Sequence, residues 1–150
     1  MNLRFPLRRV GVVTPLGEGG AGGIDRMMDA LRLRRAEFAR EGFEVDFFVS
    51  RGAGPLALAP IHLAATLGQV AASAWGRGPD LLHVNLSSHG SALRKLAVAA
   101  TARRAGLPYV VHLHGSRFQG YFESSGSRLR GALVHMFESA ARKREPDDSK

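Results

Sequence analysis

Apolar positions along the chain switch repeatedly between a period of two and a helical period. Arg9 to Thr14, with Val10, Val12 and Val13, reads as a strand halted by Pro15 and a cluster of glycines. Ile24, Met27, Met28, Leu31 and Phe38 recur at helical spacing and predict one helix from about Ile24 to Glu41, with Gly42 as its stop. Phe43 to Ser50 is the second predicted strand, and a loop with Gly52, Gly54 and Pro55 leads to an uncharged helix over Ala59 to Trp75. Asp80 to Leu86 predicts a third strand. Ser87, Ser88 and Ser91 are candidate caps for a helix from about Ala92 to Ala105, which Gly106 and Pro108 end. Tyr109 to His114 is the fourth strand, broken at Gly115. An irregular loop is expected up to Ser127, then a last helix marked by Leu129, Leu133, Met136, Phe137 and Ala140.

Strands written as apolar runs, each followed by a helical segment, call for a parallel sheet covered on both faces, a doubly wound α/β domain. It is expected to span 1–143, with a polar tail over 144–150. No internal repeat or interdomain linker interrupts it. The last helix is followed by charged residues where another strand would ordinarily come, so the domain reads as cut short.

Composition adds exclusions. The chain has 150 residues, 45% of them hydrophobic, which fits one soluble domain with one core. With no cysteine, disulfides, thiol nucleophiles and cysteine-ligated metals are excluded. The net charge of +8 favours polyanions or an anionic membrane face, yet no zinc-finger, basic-zipper or ribonucleoprotein pattern supports nucleic acid as partner. Residues 52–76 carry no Asp, Glu, Lys or Arg. That run is long enough to raise the question of a membrane span, but its alanines and interspersed Pro60, His62, Thr66, Gln69 and Ser73 favour a helix buried against the sheet.

Ligands of an open parallel sheet bind beyond the carboxyl ends of its strands. Between the first strand and the first helix, Gly17, Gly19, Gly20, Gly22 and Gly23 could turn backbone N–H groups and a helix N-terminus toward an anion such as a diphosphate. They could equally form a turn that only needs positive φ. Gly17, Gly19 and Gly22 match the dinucleotide pattern G-x-G-x-x-G, but no acidic residue ends the second strand, where Ser50 and Arg51 lie. His112 and His114 share one face of a strand. Without a carboxylate cluster they do not argue for a metal. His114, nearest the strand's exposed end, is the candidate ligand-contacting imidazole, with Gly115 admitting the ligand, while His112 and His83 read as core histidines. Asn85, Ser87, Ser88, His89 and Ser91 form a polar rim, with Arg94 and Lys95 one turn inside it. Arg117, Phe118, Tyr121 and Phe122 could hold an acceptor or pack their own loop down.

Four segments in order, Val10 to Pro15 with Gly19 to Gly23, Asp80 to Asn85, Gly90 to Lys95 and His112 to Ser116, resemble the N-terminal domain of family 4 glycosyltransferases. The resemblance covers about Arg8 to Phe137. It implies a Rossmann-like domain of the GT-B architecture, a nucleotide-sugar donor as co-substrate with no cofactor, and transfer with retention of configuration to a polysaccharide or lipid-linked acceptor. It implies donor and acceptor contacts at Gly19, Gly20, Gly22 and Gly23 and a sugar contact at His114. To these the strand-end reading adds Asn85, Ser88, Gly115 and Arg117 as binding residues. The paired glutamates and basic donor grip of that family belong to a C-terminal domain beyond this sequence. The chain alone is therefore expected to be inactive unless a partner chain completes it. A cytoplasmic location, peripheral to the membrane, goes with that reading. The alternatives are a stand-alone dinucleotide-binding module and a non-catalytic module for membrane or protein contact.

Overall fold

A computed structural model describes residues 7–141; the expected tail over 144–150 lies outside the described residues. Strands β1 (Arg9–Thr14), β2 (Glu44–Val49), β3 (Leu81–Leu86) and β4 (Tyr109–Leu113) form one sheet, ordered β2-β1-β3-β4 and parallel throughout. Helices are α1 (Gly23–Leu33), α2 (Arg35–Arg40), α3 (Ala59–Ala71), α4 (Gly90–Arg104), α5 (Phe118–Ser124) and α6 (Ser127–Glu138). The chain leaves β1 toward β2 in one direction and returns past it to β3 in the other. With right-handed crossovers this puts α1 and α3 on opposite faces, and the crevice opens where the direction reverses, at the carboxyl ends of β1 and β3.

The core is lopsided. On one face, Val13, Leu82, Val84 and Leu86 pack against Val70 of α3, Val98, Ala99 and Ala102 of α4, and Leu133 and Met136 of α6. Tyr109 locks this side, its hydroxyl donating to the Met136 carbonyl at 2.7 Å. On the other face Met28 of α1 is buried, whereas α2 buries nothing. Helices α1 and α2 cover β1 and β2 there, and the corresponding side of β3 and β4 lacks a helical layer among the described residues. The sheet is thus fully covered on one face and half covered on the other.

Four sequence expectations change. The helix expected over Ile24 to Glu41 breaks at Arg34, which caps both α1 and α2. No apolar side chain holds a common axis there: Leu33 is 88% exposed, and Arg34 instead turns its Nε to Glu37. The irregular loop before Ser127 contains α5, pinned by buried Phe118 against Phe122 and Phe137, so those aromatics pack the segment down. No serine caps α4; its cap position is His89, at φ 56°, and Ser91 falls inside the helix. The uncharged helix, extended by short 3-10 turns over Leu56–Leu58 and Ala72–Trp75, buries only Ala59, Thr66 and Val70.

Candidate functional site

Pro15 and Leu16 follow β1, Arg51 follows β2, Ser87 follows β3, and His114 and Gly115 follow β4. All of them, with Gly22, Gly23, Ile24, Asp25 and Met27 of α1 and Ser91 and Arg94 of α4, line one open cleft of about 620 Å³. The glycine segment and the histidine therefore share a mouth at the switch point of the sheet.

His114 is held in a defined state by a chain of obligatory roles. The Val13 carbonyl can only accept, so the amide nitrogen of buried Asn85 faces it at 3.1 Å and the Asn85 Oδ1 faces His114. That oxygen can only accept in turn, so His114 Nε2, at 2.7 Å, carries the proton and donates it. The neutral ring then offers Nδ1 as an acceptor to a ligand hydroxyl. Burial, and secondarily the neighbouring His112, lower the His114 pKa and favour this uncharged form.

The glycine segment behaves differently from the expectation that it cradles an anion. Asp25 reaches back from the first turn of α1 and accepts the N–H groups of Leu16 and Gly17 at 3.0 and 3.1 Å, while Asp29 accepts that of Gly19 at 3.1 Å. A Cβ at Gly20 would lie 2.8 Å from the Asp25 side chain. Gly20 is glycine because the loop closes over a carboxylate belonging to the protein itself. Gly22 and Gly23 alone of this segment bring the uncapped N-terminus of α1 to the cleft wall.

Positive charge comes from Arg51 and Arg94. Neither forms an ion pair among the described residues. Arg94 Nε and Ser91 Oγ are buried without a hydrogen-bond partner, and burial followed by repulsion from Arg51 lowers the Arg94 pKa. Two like charges held together in this way favour an anion between them. A larger opening of about 810 Å³ along the outer edge of β2 shows the contrast. Its Arg9, Arg32 and Arg35 are matched by Glu44, Asp46 and Asp29. Beneath the cleft, Lys95 is fully buried and donates to Ser50 Oγ at 2.7 Å; burial, then Arg94, lower its pKa to about 7 against the opposing pull of Asp25.

The remaining expected site residues fall into distinct places. Gly115 lines the cleft with His114. Asn85 is buried and positions His114 without reaching the ligand space. Ser88 Oγ lies 3.0 Å from His89 Nδ1, and Arg117 precedes α5; neither lines the cleft. His112 is exposed on the uncovered face of β4, its ring tilted against those of His114, 4.1 Å away between centroids, and His83, 5.5 Å away, so it is no core histidine. His83 is partly buried, with a pKa lowered to about 4 by burial and then by His112 and His114. Among the described residues no cluster of His, Asp and Glu is arranged to hold a metal ion. The strand-end rule places Arg51, in the segment Arg51 to Pro55, among the candidate ligand-binding segments without giving it a role, and sequence pattern does not single out Asp25. The available signals were an Asp three residues past Gly22 and an Arg just beyond a strand.

A family model described as "Glycosyl transferase 4-like domain" matches residues 8–144. No curated protein and no solved structure matches the chain.

Proposed function

Since the chain belongs to the glycosyl transferase 4-like domain family, we propose that its cleft binds a nucleoside-diphosphate sugar together with a hydroxyl-bearing acceptor, as the acceptor-side half of a glycosyl-transfer site. The observation that carries this reading is the meeting, in one cleft beside the buried Asp25, of an uncharged imidazole acceptor, a helix N-terminus and two arginines that form no ion pair among the described residues. A sugar hydroxyl donates to His114 Nδ1. Phosphate oxygens take the N-terminal end of α1, Arg51 and Arg94, whose charge also stabilises the departing nucleoside diphosphate as the bond from its oxygen to the anomeric carbon breaks, the acceptor oxygen bonds to that carbon and the acceptor proton leaves with the diphosphate. Pro15, Leu16, Ile24 and Met27 add apolar lining to the same cleft, which suits a glycan ring or the first carbons of a lipid-linked acceptor. The cleft is open along one side, so a facing domain or partner chain supplies the water exclusion that transfer needs.

Calorimetry with a panel of uridine-, guanosine- and adenosine-diphosphate sugars tests the reading. His114→Ala and Arg94→Ala are each expected to weaken the sugar nucleotide that binds by at least ~10-fold, about 1.4 kcal/mol, with the circular dichroism spectrum unchanged. Binding should persist as the pH falls through the ordinary imidazole value of 6.5 and drop only in more acid solution, because the His114 pKa is lowered. No binding by any member of the panel, or binding indifferent to both substitutions, contradicts the assignment.

A further inference from the structure

A helix on the surface of a soluble domain ordinarily turns charged side chains to water. The helical run from Leu56 to Trp75 has none. Its inner side is fixed to the domain by buried Ala59, Thr66 and Val70, and Thr66 Oγ1 donates to the Val49 carbonyl at 2.7 Å. Its outer side presents Leu58, Ile61, Ala65 and Gly68, a stripe at spacings of three and four, with Leu56 at one end and Trp75 at the other. Leu56 is 66%, Ile61 65% and Trp75 76% exposed.

We propose that this face docks on an anionic lipid surface, with the helix lying flat in the headgroup region. The run is long and apolar enough to cross a membrane, but its anchored inner side favours the flat placement, since spanning would strip Val70 and Ala59 from the core. Lipid is the occupant that the charges select. Exposed Arg77 follows the uncharged run two residues after Trp75, the protein carries a net +8, and no acidic residue lies within 52–76 to repel phosphate headgroups. The exposed indole at the end of the run matches the preference of Trp for the boundary between headgroups and acyl chains. This inference stands apart from the transferase reading, because none of its residues lines the cleft at the ends of the strands.

Trp75 is the sole tryptophan, so its fluorescence reports on this face alone. Vesicles of phosphatidylglycerol and phosphatidylcholine should shift its emission to the blue, and brominated phosphatidylcholine in the same vesicles should quench it. Ile61→Glu, at an exposed position, should lower vesicle partitioning by at least ~10-fold while leaving the circular dichroism spectrum unchanged, and about 0.5 M salt should weaken binding. An unshifted, unquenched Trp75, or equal partitioning by Ile61→Glu, overturns the proposal. So does a concentration-dependent dimer, seen without lipid and lost in Ile61→Glu, since a second copy would then cover the face.

Discussion

Single side chains set the chemistry of the cleft through what lies beneath it. His114 was legible in the sequence from its place at a strand end, but its protonation state follows from Asn85 and the Val13 carbonyl, a relation across three strands that no local pattern records. Lys95 is the sharper case. In sequence it is one more basic residue at a helix start, and in the fold it is fully buried against Ser50. Burial pushes its folded-state pKa down to about 7, below the ordinary lysine value of 10.5. Between these values the unfolded chain keeps the proton that the folded protein has released, so stability rises with pH across that window. Chemical denaturation between pH 7 and 9 should show this rise, on the order of 1–3 kcal/mol, and Lys95→Met should flatten it. A slope unchanged by the substitution means the lysine is not desolvated. Gly20→Ala probes the loop in the same manner: its Cβ meets Asp25 at 2.8 Å, and a loss of about 1–3 kcal/mol in urea unfolding is expected. An unaltered midpoint would show that the loop does not close over the carboxylate.

At the scale of elements, strands were the easiest to read, because short runs rich in Val, Leu and Phe are bounded by Pro or Gly, even where Asp46, His83, Asn85 and His112 interrupt them. Helix limits were less legible. The apolar spacing of Leu31 and Phe38 fits a single helix, and only the solvent-facing Leu33 and the Arg34–Glu37 pair show why the axis turns. Segment α5 was hidden because its seven residues owe their helix to the packing of Phe118 on α6, a long-range contact. The start of α4 carries strain that serine caps would not have implied. His89 stands at φ 56° and ψ −130°, a conformation natural to glycine. His89→Gly should therefore raise stability by about 1 kcal/mol, even with loss of the ring contact to Tyr121 at 4.9 Å. A lower melting temperature in that variant would mean the aromatic contact outweighs the backbone.

Over the whole molecule, the order β2-β1-β3-β4 explains both the site and its incompleteness as an enclosure. Reversal of winding at β1 opens the crevice, and the partial cover of the second face leaves His83 and His112 accessible beside it. The α/β class and the parallel sheet follow from strand and helix order, which the sequence carries, and the family from residue segments at the strand ends that resemble it. Which glycines line the cleft and which fold over Asp25 depends on how α1 returns to the loop, and that emerges only in three dimensions. Amide NMR of the whole chain during titration with a binding sugar nucleotide tests the central claim most directly. Shifts concentrated at Gly22, Gly23, Ile24, Arg94 and His114, with Arg9, Arg35 and Asp46 at the outer edge of β2 undisturbed, are predicted. Shifts confined to that outer edge, or spread without focus while the cleft residues stay fixed, would contradict it.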